Sequence, residues 1–485
     1  VGIHFMVIEP AKGEYKNVFG NRADVTVLGT NPSYSQLLQI NPFRFPPQIH
    51  VLEHIDRLVE IFNACWPMYA AMPAVLKEAL LQAYRVCGWD LTDSRNTISN
   101  VLFPTFQDLQ AELVDVIGNS AYSQEVKSNY MGSLATRINS LTNGLNGQIF
   151  SANEIDSGTL FVTNVIVDLS RIGSLETKSL IMGILVMRLG EHRMSSSSGM
   201  NTPLKHITVL EEAHNILKRT SSEQNPENPS VTGKSVEMLS NAIAEMRTYG
   251  EGFIIADQSP SAVDLSAIRN TNTKIIMRLP DEADRRLAGK SAALKDEQLD
   301  EIAKLPKGVA VVYQNDWLEP VLCKVNKFSG KEELYSFDKN SYQDLHFKCD
   351  VCWFNHEMLK LLLHNRLPQP PQIDVDRLLS EPPYAPLSTK NKLGITRLLN
   401  EYRASKTLKV WDENEFSKLS KMVVELLDCK IKVEKLIQTV ADFDELNFAF
   451  SEIVRRSAEP VTDELSLATA QCFMKDFSME HPDGL

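Results

Sequence analysis

Short apolar runs that end in polar or acidic residues recur along the chain, each followed by a stretch of helical periodicity. This alternation predicts a parallel sheet wrapped by helices, an α/β fold. The predicted strands are residues 3–8, 161–169, 207–210, 252–256 and 274–279. Two further runs, 308–313 and 320–325, flank the stretch Gln-Asn-Asp-Trp and read as a hairpin closing the domain. Between the first two strands, residues 42–145 carry helical periodicity with almost no strand signal. Helices are predicted there over 51–64, 74–86, 106–117 and 123–141, broken by Pro67, Pro73, Gly88 and Pro104. After Phe328 the pattern changes to long amphipathic stretches divided by the proline-rich segments 367–371 and 381–383. The expected organisation is a core of residues 1–41 and 146–328, a helical insertion over 42–145, and a mostly helical C-terminal region over 329–485. The Ser-rich stretch 194–199 and the Ser, Asn, Pro and Glu stretch 221–233 read as mobile loops.

Composition narrows the class without naming a partner. The chain has 485 residues, 43% hydrophobic and 23% charged, enough for two or three domains with sizeable cores. No apolar run approaches the roughly 18 residues that cross a bilayer, and the start lacks a signal-peptide pattern. A cytoplasmic protein that does not enter a membrane is expected. Seven cysteines, an odd number scattered from Cys65 to Cys472, do not form a disulfide framework. A formal charge of −12 argues against a protein coated in basic residues for DNA binding, but leaves room for a few cations on loops lining a channel.

The strongest local chemistry is Ile207-Thr-Val-Leu-Glu-Glu-Ala-His214, an apolar strand ending in two carboxylates. Acids at the C-terminal end of a strand lie where open α/β sheets bind ligands. There one can hold a magnesium ion and its waters, and the other can polarise an attacking water. The bland alternative is structural, because acids favour helix N-termini in any protein.

Further along, Ala242-Ile-Ala-Glu-Met-Arg-Thr-Tyr-Gly250 closes a helix at a glycine, and 251–260 then forms an apolar strand ending in Asp-Gln-Ser-Pro. Upstream lies Val7-Ile-Glu-Pro-Ala-Lys-Gly-Glu-Tyr15, and downstream Arg269-Asn-Thr-Asn-Thr-Lys-Ile-Ile-Met-Arg-Leu279. Four stretches in this order, spanning about residues 1–325, resemble the HerA/FtsK superfamily of P-loop ATPases, most of all bacterial HerA-like proteins. The resemblance implies a RecA-like core that uses ATP and Mg²⁺, assembles as a hexameric ring and moves or unwinds double-stranded DNA. A nuclease or a phage-defence effector is the partner implied by analogy. In this reading Glu211 is the acid linked to magnesium through water, Glu212 the catalytic glutamate, and Gln258 a sensor of the γ-phosphate or the water. Arg247 is the candidate arginine finger donated across a subunit boundary, with a dipole-complementing helix-end arginine as its alternative. Arg278 is the second choice. Two rival functions stay open: a secretion or conjugation ring ATPase acting on protein, and a ring-forming scaffold that does not hydrolyse ATP.

The sequence departs from the superfamily in one respect. A GxxxxGK[ST] loop should precede the first strand, and none is present. Val231-Thr-Gly-Lys-Ser235 imitates its end, but position 228 holds Asn where the motif needs Gly. The expectation is that the loop lies upstream of Val1 and that this chain alone does not hydrolyse ATP. Glu9, Lys12 and Glu14 are candidates to approach the nucleotide or a neighbouring subunit, with a strand-end turn and surface ion pair as the alternative. Lys218, Arg219 and Lys234 are candidate DNA contacts, or else solvated surface charge. His346, Cys349, Cys352 and His356 form a compact cluster of zinc-ligand types, for which a structural role is the preferred reading.

Overall fold

The computed structural model describes residues 2–69, 71–97, 102–151, 154–197, 199, 201–219, 231–330, 332–338, 347–369, 371–380, 389–406, 413–427, 429–440, 442–458 and 461–481. The chain divides into two compact units. One comprises Val1–Leu80, Leu113–Ile149 and Glu154–Phe337, and the other Leu81–Glu112, Phe150–Asn153 and Asp338–Leu485. Residues 81–112 of the stretch 42–145 thus fall in the second unit.

The first unit is built on six strands: β1 (His4–Glu9), β2 (Val25–Gly29), β3 (Gln36–Leu37), β4 (Asn164–Asp168), β5 (His206–Glu211) and β6 (Glu251–Ala256). They lie in the order β3-β2-β4-β1-β5-β6, and every pair is parallel. This is the α/β sheet that a RecA-like core requires. Met6, Val7 and Ile8 of β1 and Val165, Ile166 and Val167 of β4 are buried. Covered faces on both sides explain why these strands read as continuous apolar runs rather than as alternation. Helices α1 (Val51–Cys65), α2 (Leu175–Ser196) and α3 (Val231–Glu245) pack together in this unit. Ser174 caps α2 by accepting from the Thr177 amide at 3.2 Å.

Several expectations change. The strand expected over 161–169 is β4 alone, because Ser157–Val162 is a helix whose start is fixed by Asp156 accepting from the Thr159 amide. The Ser-rich stretch 194–199 begins inside a helix, since α2 runs to Ser196. β2 and β3 were not expected. They are short, and their strand character comes from pairing, β2 with β4 and β3 with β2.

The run expected as a strand over 274–279 ends at Ile276 and does not join the parallel sheet. It is β7 (Thr273–Ile276), which pairs antiparallel with β8 (Val309–Gln314), itself paired with β9 (Val321–Lys324). The expected hairpin is therefore two strands of a separate three-stranded sheet, with its own core of Ile276, Leu279, Leu294, Leu299, Ile302 and Val311.

The second unit is mostly helical, as its sequence predicts. Its helices include α4 (Phe347–Leu362), α5 (Glu413–Leu426), α6 (Phe443–Ala458) and α7 (Asp463–Glu480). Their apolar faces meet in a core containing Leu362, Val423, Phe450, Cys472 and Phe473. His346 and the side chains of Cys349 and Cys352 lie outside the described residues, and His356 lies 3.5 Å from the Glu357 carboxylate. Among the described residues no helix is long and apolar enough to cross a membrane.

Candidate active site

The C-terminal edge of the parallel sheet gathers acids. Strand register sets Glu9 beside Asp168, and the pairing of Ile8 with Leu210 carries Glu9 to the level of Glu211 on its other side. Neighbouring strands are about 4.8 Å apart, so three carboxylates share one short row. Each finds a different partner. Glu9 is buried and accepts the backbone amides of Glu14 at 2.7 Å and Tyr15 at 3.3 Å. Burial raises its pKa, the two amides oppose that shift, and the charges of Asp168 and Glu211 add to it. Asp168 receives Lys16 and the Ser170 amide. Burial alone would raise its pKa, but these donors outweigh it and hold the carboxyl below its usual range. Glu211 Oε1 accepts the Tyr15 hydroxyl. Burial and then that bond push the Tyr15 phenol well above its usual range, so it remains a donor.

The turn after β1 makes these contacts possible. Lys12 and Gly13 both adopt positive φ, 63° and 69°. A Cβ on Gly13 would come within 3.2 Å of Asp168 Oδ2, so a side chain there would press on the acid that Lys16 must reach.

Glu212 follows β5 in a left-handed conformation, φ 47° and ψ 53°, where non-glycine residues are uncommon. The turn separates the two acids, sending Glu211 toward Tyr15 and Glu212 toward β6. Gln258 Nε2 donates to Glu212 Oε1 at 2.8 Å. Asp257 Oδ2 accepts both the His214 amide at 2.8 Å and His214 Nδ1 at 2.9 Å, and the same ring nitrogen lies 3.6 Å from Glu212 Oε2. Glu212, His214 and Asp257 offer ligand atoms that all lie within 4.8 Å of one another.

The structure thus brings together Glu9, Glu211, Glu212 and Gln258 of the residues read from sequence. Arg247 lies elsewhere: it is exposed on the turn Met246–Tyr249 ahead of β6, at the opposite end of that strand from Gln258. Gly250, at φ 85°, closes that turn, and a Cβ there would meet the Pro203 carbonyl at 2.5 Å. Arg278 is exposed just past β7, and Lys12 is exposed on the β1 turn. Lys218 and Arg219 are exposed but anchored, through a bridge from Lys218 to Val263 and the Arg219 amide donating to Ala262 at 2.7 Å. Lys234 is exposed in the first turn of α3, and residues 233–235 are helical there rather than part of a phosphate loop. Most of the stretch 221–233 lies outside the described residues.

Sequence reasoning missed roles for Tyr15, Lys16, His214, Asp168 and Asp257. Asp168 and Asp257 had a usable signal, being the first charged residues after apolar strands of a parallel sheet. Tyr15 and Lys16 had none, since only the register of β1 against β4 and β5 brings them to Asp168 and Glu211.

No protein-family model matches the chain. Among curated proteins, the DNA double-strand break repair helicase HerA of Sulfolobus acidocaldarius is 28% identical over 142 residues, 29% of this chain and 26% of the relative. The HerA of Sulfurisphaera tokodaii is 26% identical over the same shares. A probable helicase of Methanocaldococcus jannaschii is 22% identical over 156 residues, 31% of this chain and 28% of that protein. The match thus spans about a quarter of the length of these relatives. Of solved structures, VirB4 of Thermoanaerobacter pseudethanolicus aligns with a TM-score of 0.49 and 17% identity, covering 68% of this chain and 83% of that one. The plasmid coupling protein TrwB in complex with ADP and Mg²⁺ aligns with a TM-score of 0.46 and 12% identity, covering 69% and 81%.

Proposed function

We propose, from the chain's membership of the HerA/FtsK superfamily of P-loop ATPases, that it acts as a ring ATPase that couples ATP hydrolysis to movement along double-stranded DNA. The observation that carries the reading is the Gln258–Glu212 hydrogen bond, which joins the ends of adjacent strands β5 and β6. It holds a carboxylate oxygen in place where a parallel sheet binds its ligand.

Glu212 serves as the base that orients and polarises the attacking water, and Gln258 fixes its direction. Tyr15 holds Glu211 in a set orientation, with its proton on the phenol. The oxygens of Glu211, Glu212 and Asp257 are hard donors of the kind magnesium prefers, whereas the His214 nitrogen is not. Magnesium would therefore sit toward the carboxylates, Glu211 acting through water, and would supply charge neutralisation for the phosphates. Arg247, at the far end of β6, can reach a nucleotide only on another copy, which is the arrangement of a finger donated around a ring. Residues 1–485 hold no GxxxxGK[ST] run, so the residues named here supply the water-activating side of the site and not a phosphate cradle. Lys218 and Arg219, anchored beside the acid pair, and Lys234 contact DNA phosphates.

The test is ATP turnover by the full-length protein, with and without duplex DNA. DNA-stimulated turnover that Glu212→Gln lowers by about 10²- to 10⁴-fold is expected. Absence of turnover in every form would leave a ring-forming scaffold as the better account. Neutralising Lys218 and Arg219 is expected to lower the salt dependence of DNA binding by about 0.9 in slope per lost phosphate contact.

A further inference from the structure

A nitrogen donor stands among the oxygens of the acid edge. Glu212, His214 and Asp257 offer ligand atoms that all lie within 4.8 Å of one another, and each is held by different partners. Gln258 binds Glu212 Oε1, while Oε2 lies 3.6 Å from His214 Nδ1, beyond hydrogen-bond range. Asp257 Oδ1 accepts the Ser259 amide at 2.8 Å and Oδ2 the His214 amide at 2.8 Å, so two backbone groups fix this carboxylate without help from the ring. His214 sits on the turn Ala213–Asn215, which follows β5 where Glu211 pairs with Ala256 of β6. Its side chain is 38% exposed, so ions and water reach the group. A glutamate that polarises water needs no imidazole at this distance. Magnesium does not need one either, since it takes oxygen ligands and keeps several waters. One nitrogen beside two carboxylates is instead a donor set for an ion of the zinc class.

We propose that Glu212, His214 and Asp257 form a site for a transition-metal ion of the zinc class, filled when nucleotide is absent, and that occupancy silences turnover by taking Glu212 away from water. The site stands on the geometry of the three side chains, and the silencing rests on the ATPase reading above. The ion would replace the proton that His214 Nδ1 shares with Asp257. A neutral imidazole that binds through Nδ1 carries its proton on Nε2, so the ring changes tautomer and no net proton is released. Asp257 keeps both backbone amides while it binds, and Glu212 keeps Gln258 on its other oxygen. Little has to move, because each ligand is already anchored through an atom the ion does not need. Zinc and the magnesium of a bound nucleotide would compete for the same carboxylates. His214 is the donor that serves zinc and not magnesium.

The experiment is a titration of the nucleotide-free protein with Zn²⁺ in excess Mg²⁺. It uses a Cys349→Ser/Cys352→Ser background, which removes the thiols of the other cluster of zinc-ligand types. One bound zinc per chain is expected, with only nitrogen and oxygen neighbours in its X-ray absorption spectrum. His214→Gln keeps a donor for Asp257 but lacks the imidazole, and it is expected to weaken zinc binding about tenfold or more. No stoichiometric zinc, sulfur neighbours, displacement by Mg²⁺, or equal affinity in His214→Gln would each overturn the proposal. In the full-length protein zinc is expected to inhibit DNA-stimulated turnover. The half-inhibiting concentration should rise about tenfold or more in His214→Gln, each protein being compared with its own zinc-free rate. Zinc bound at this site in a protein that shows no turnover in any form would keep the site and reject the ATPase reading. Turnover that saturating zinc leaves unchanged would keep that reading and reject the proposal.

Discussion

The two ends of the parallel sheet handle charge in opposite ways. At the N-terminal end, Glu251 is buried and receives Arg193 Nε at 2.7 Å, His206 Nδ1 at 2.9 Å and Thr208 Oγ1 at 2.7 Å. One carboxylate meets three donors, and all of them are protein groups. At the C-terminal end Glu9, Asp168, Glu211, Glu212 and Asp257 crowd together, with Lys16 and His214 as the basic side chains that touch them. Donors that nearly fill one buried acid's acceptor sites make a structural clamp. Excess acid on a partly open edge leaves negative charge to be completed by something bound, and electrostatics of that kind cluster at functional sites.

The comparison is broken most sharply at the clamp. Glu251→Ala would strand Arg193 and His206 without their acid, and a loss of about 3–5 kcal/mol in urea unfolding is expected. A loss below about 1 kcal/mol would show that the N-terminal end is no better matched than the other. Acid titration separates Glu251 at one end from Glu9 at the other by sign. Burial alone would raise the Glu251 pKa, but His206, Thr208 and Arg193 outweigh it and the folded value is depressed. Its stabilisation is therefore present above the unfolded value, about 4.3, and is lost as pH falls through the lower folded value. Glu9 is raised by burial, so its contribution is present below the unfolded value and is lost as pH rises through the higher folded one. Stability measured against pH should have a shallower acid-side slope in Glu251→Gln, with the part set by Asp168 and Glu191 remaining, and an undiminished one in Glu9→Gln. Next in size is Tyr15→Phe, which removes only the hydroxyl donated to Glu211 and should cost about 1 kcal/mol in the same unfolding assay.

Much of this contrast was legible in the sequence, though unevenly. β1, β5 and β6 and the acid pair after β5 could be read because each buried strand is an apolar run followed at once by polar residues. The clamp could not. Glu251 sits between Gly250 and Gly252 and looks like a turn residue, and only the alignment of β5 with β6 sets it opposite His206. The division into two sheets was hidden for a related reason. β7 has the same apolar run as the parallel strands, and nothing in Thr-Lys-Ile-Ile says that its neighbour will be the antiparallel β8. Local pattern reports which face of a strand is buried, whereas register and partner are set by contacts far along the chain.

The smallest expected effect concerns the backbone at the acid edge. A left-handed conformation costs a residue with a Cβ roughly 1–2 kcal/mol, and Glu212 bears it at φ 47°. Alanine at this position keeps the Cβ and the strain while losing the carboxylate, whereas glycine loses both. Comparing Glu212→Gly with Glu212→Ala therefore cancels the Gln258 hydrogen bond and leaves the backbone term. The glycine variant should be the more stable of the two by about 0.5–1 kcal/mol, the strain being partly offset by glycine's larger unfolded entropy. Equal stability would mean that the turn relaxes without its glutamate. The conformation would then follow from the side chain's bond to Gln258, and the edge would be shaped by the same interaction that directs its chemistry.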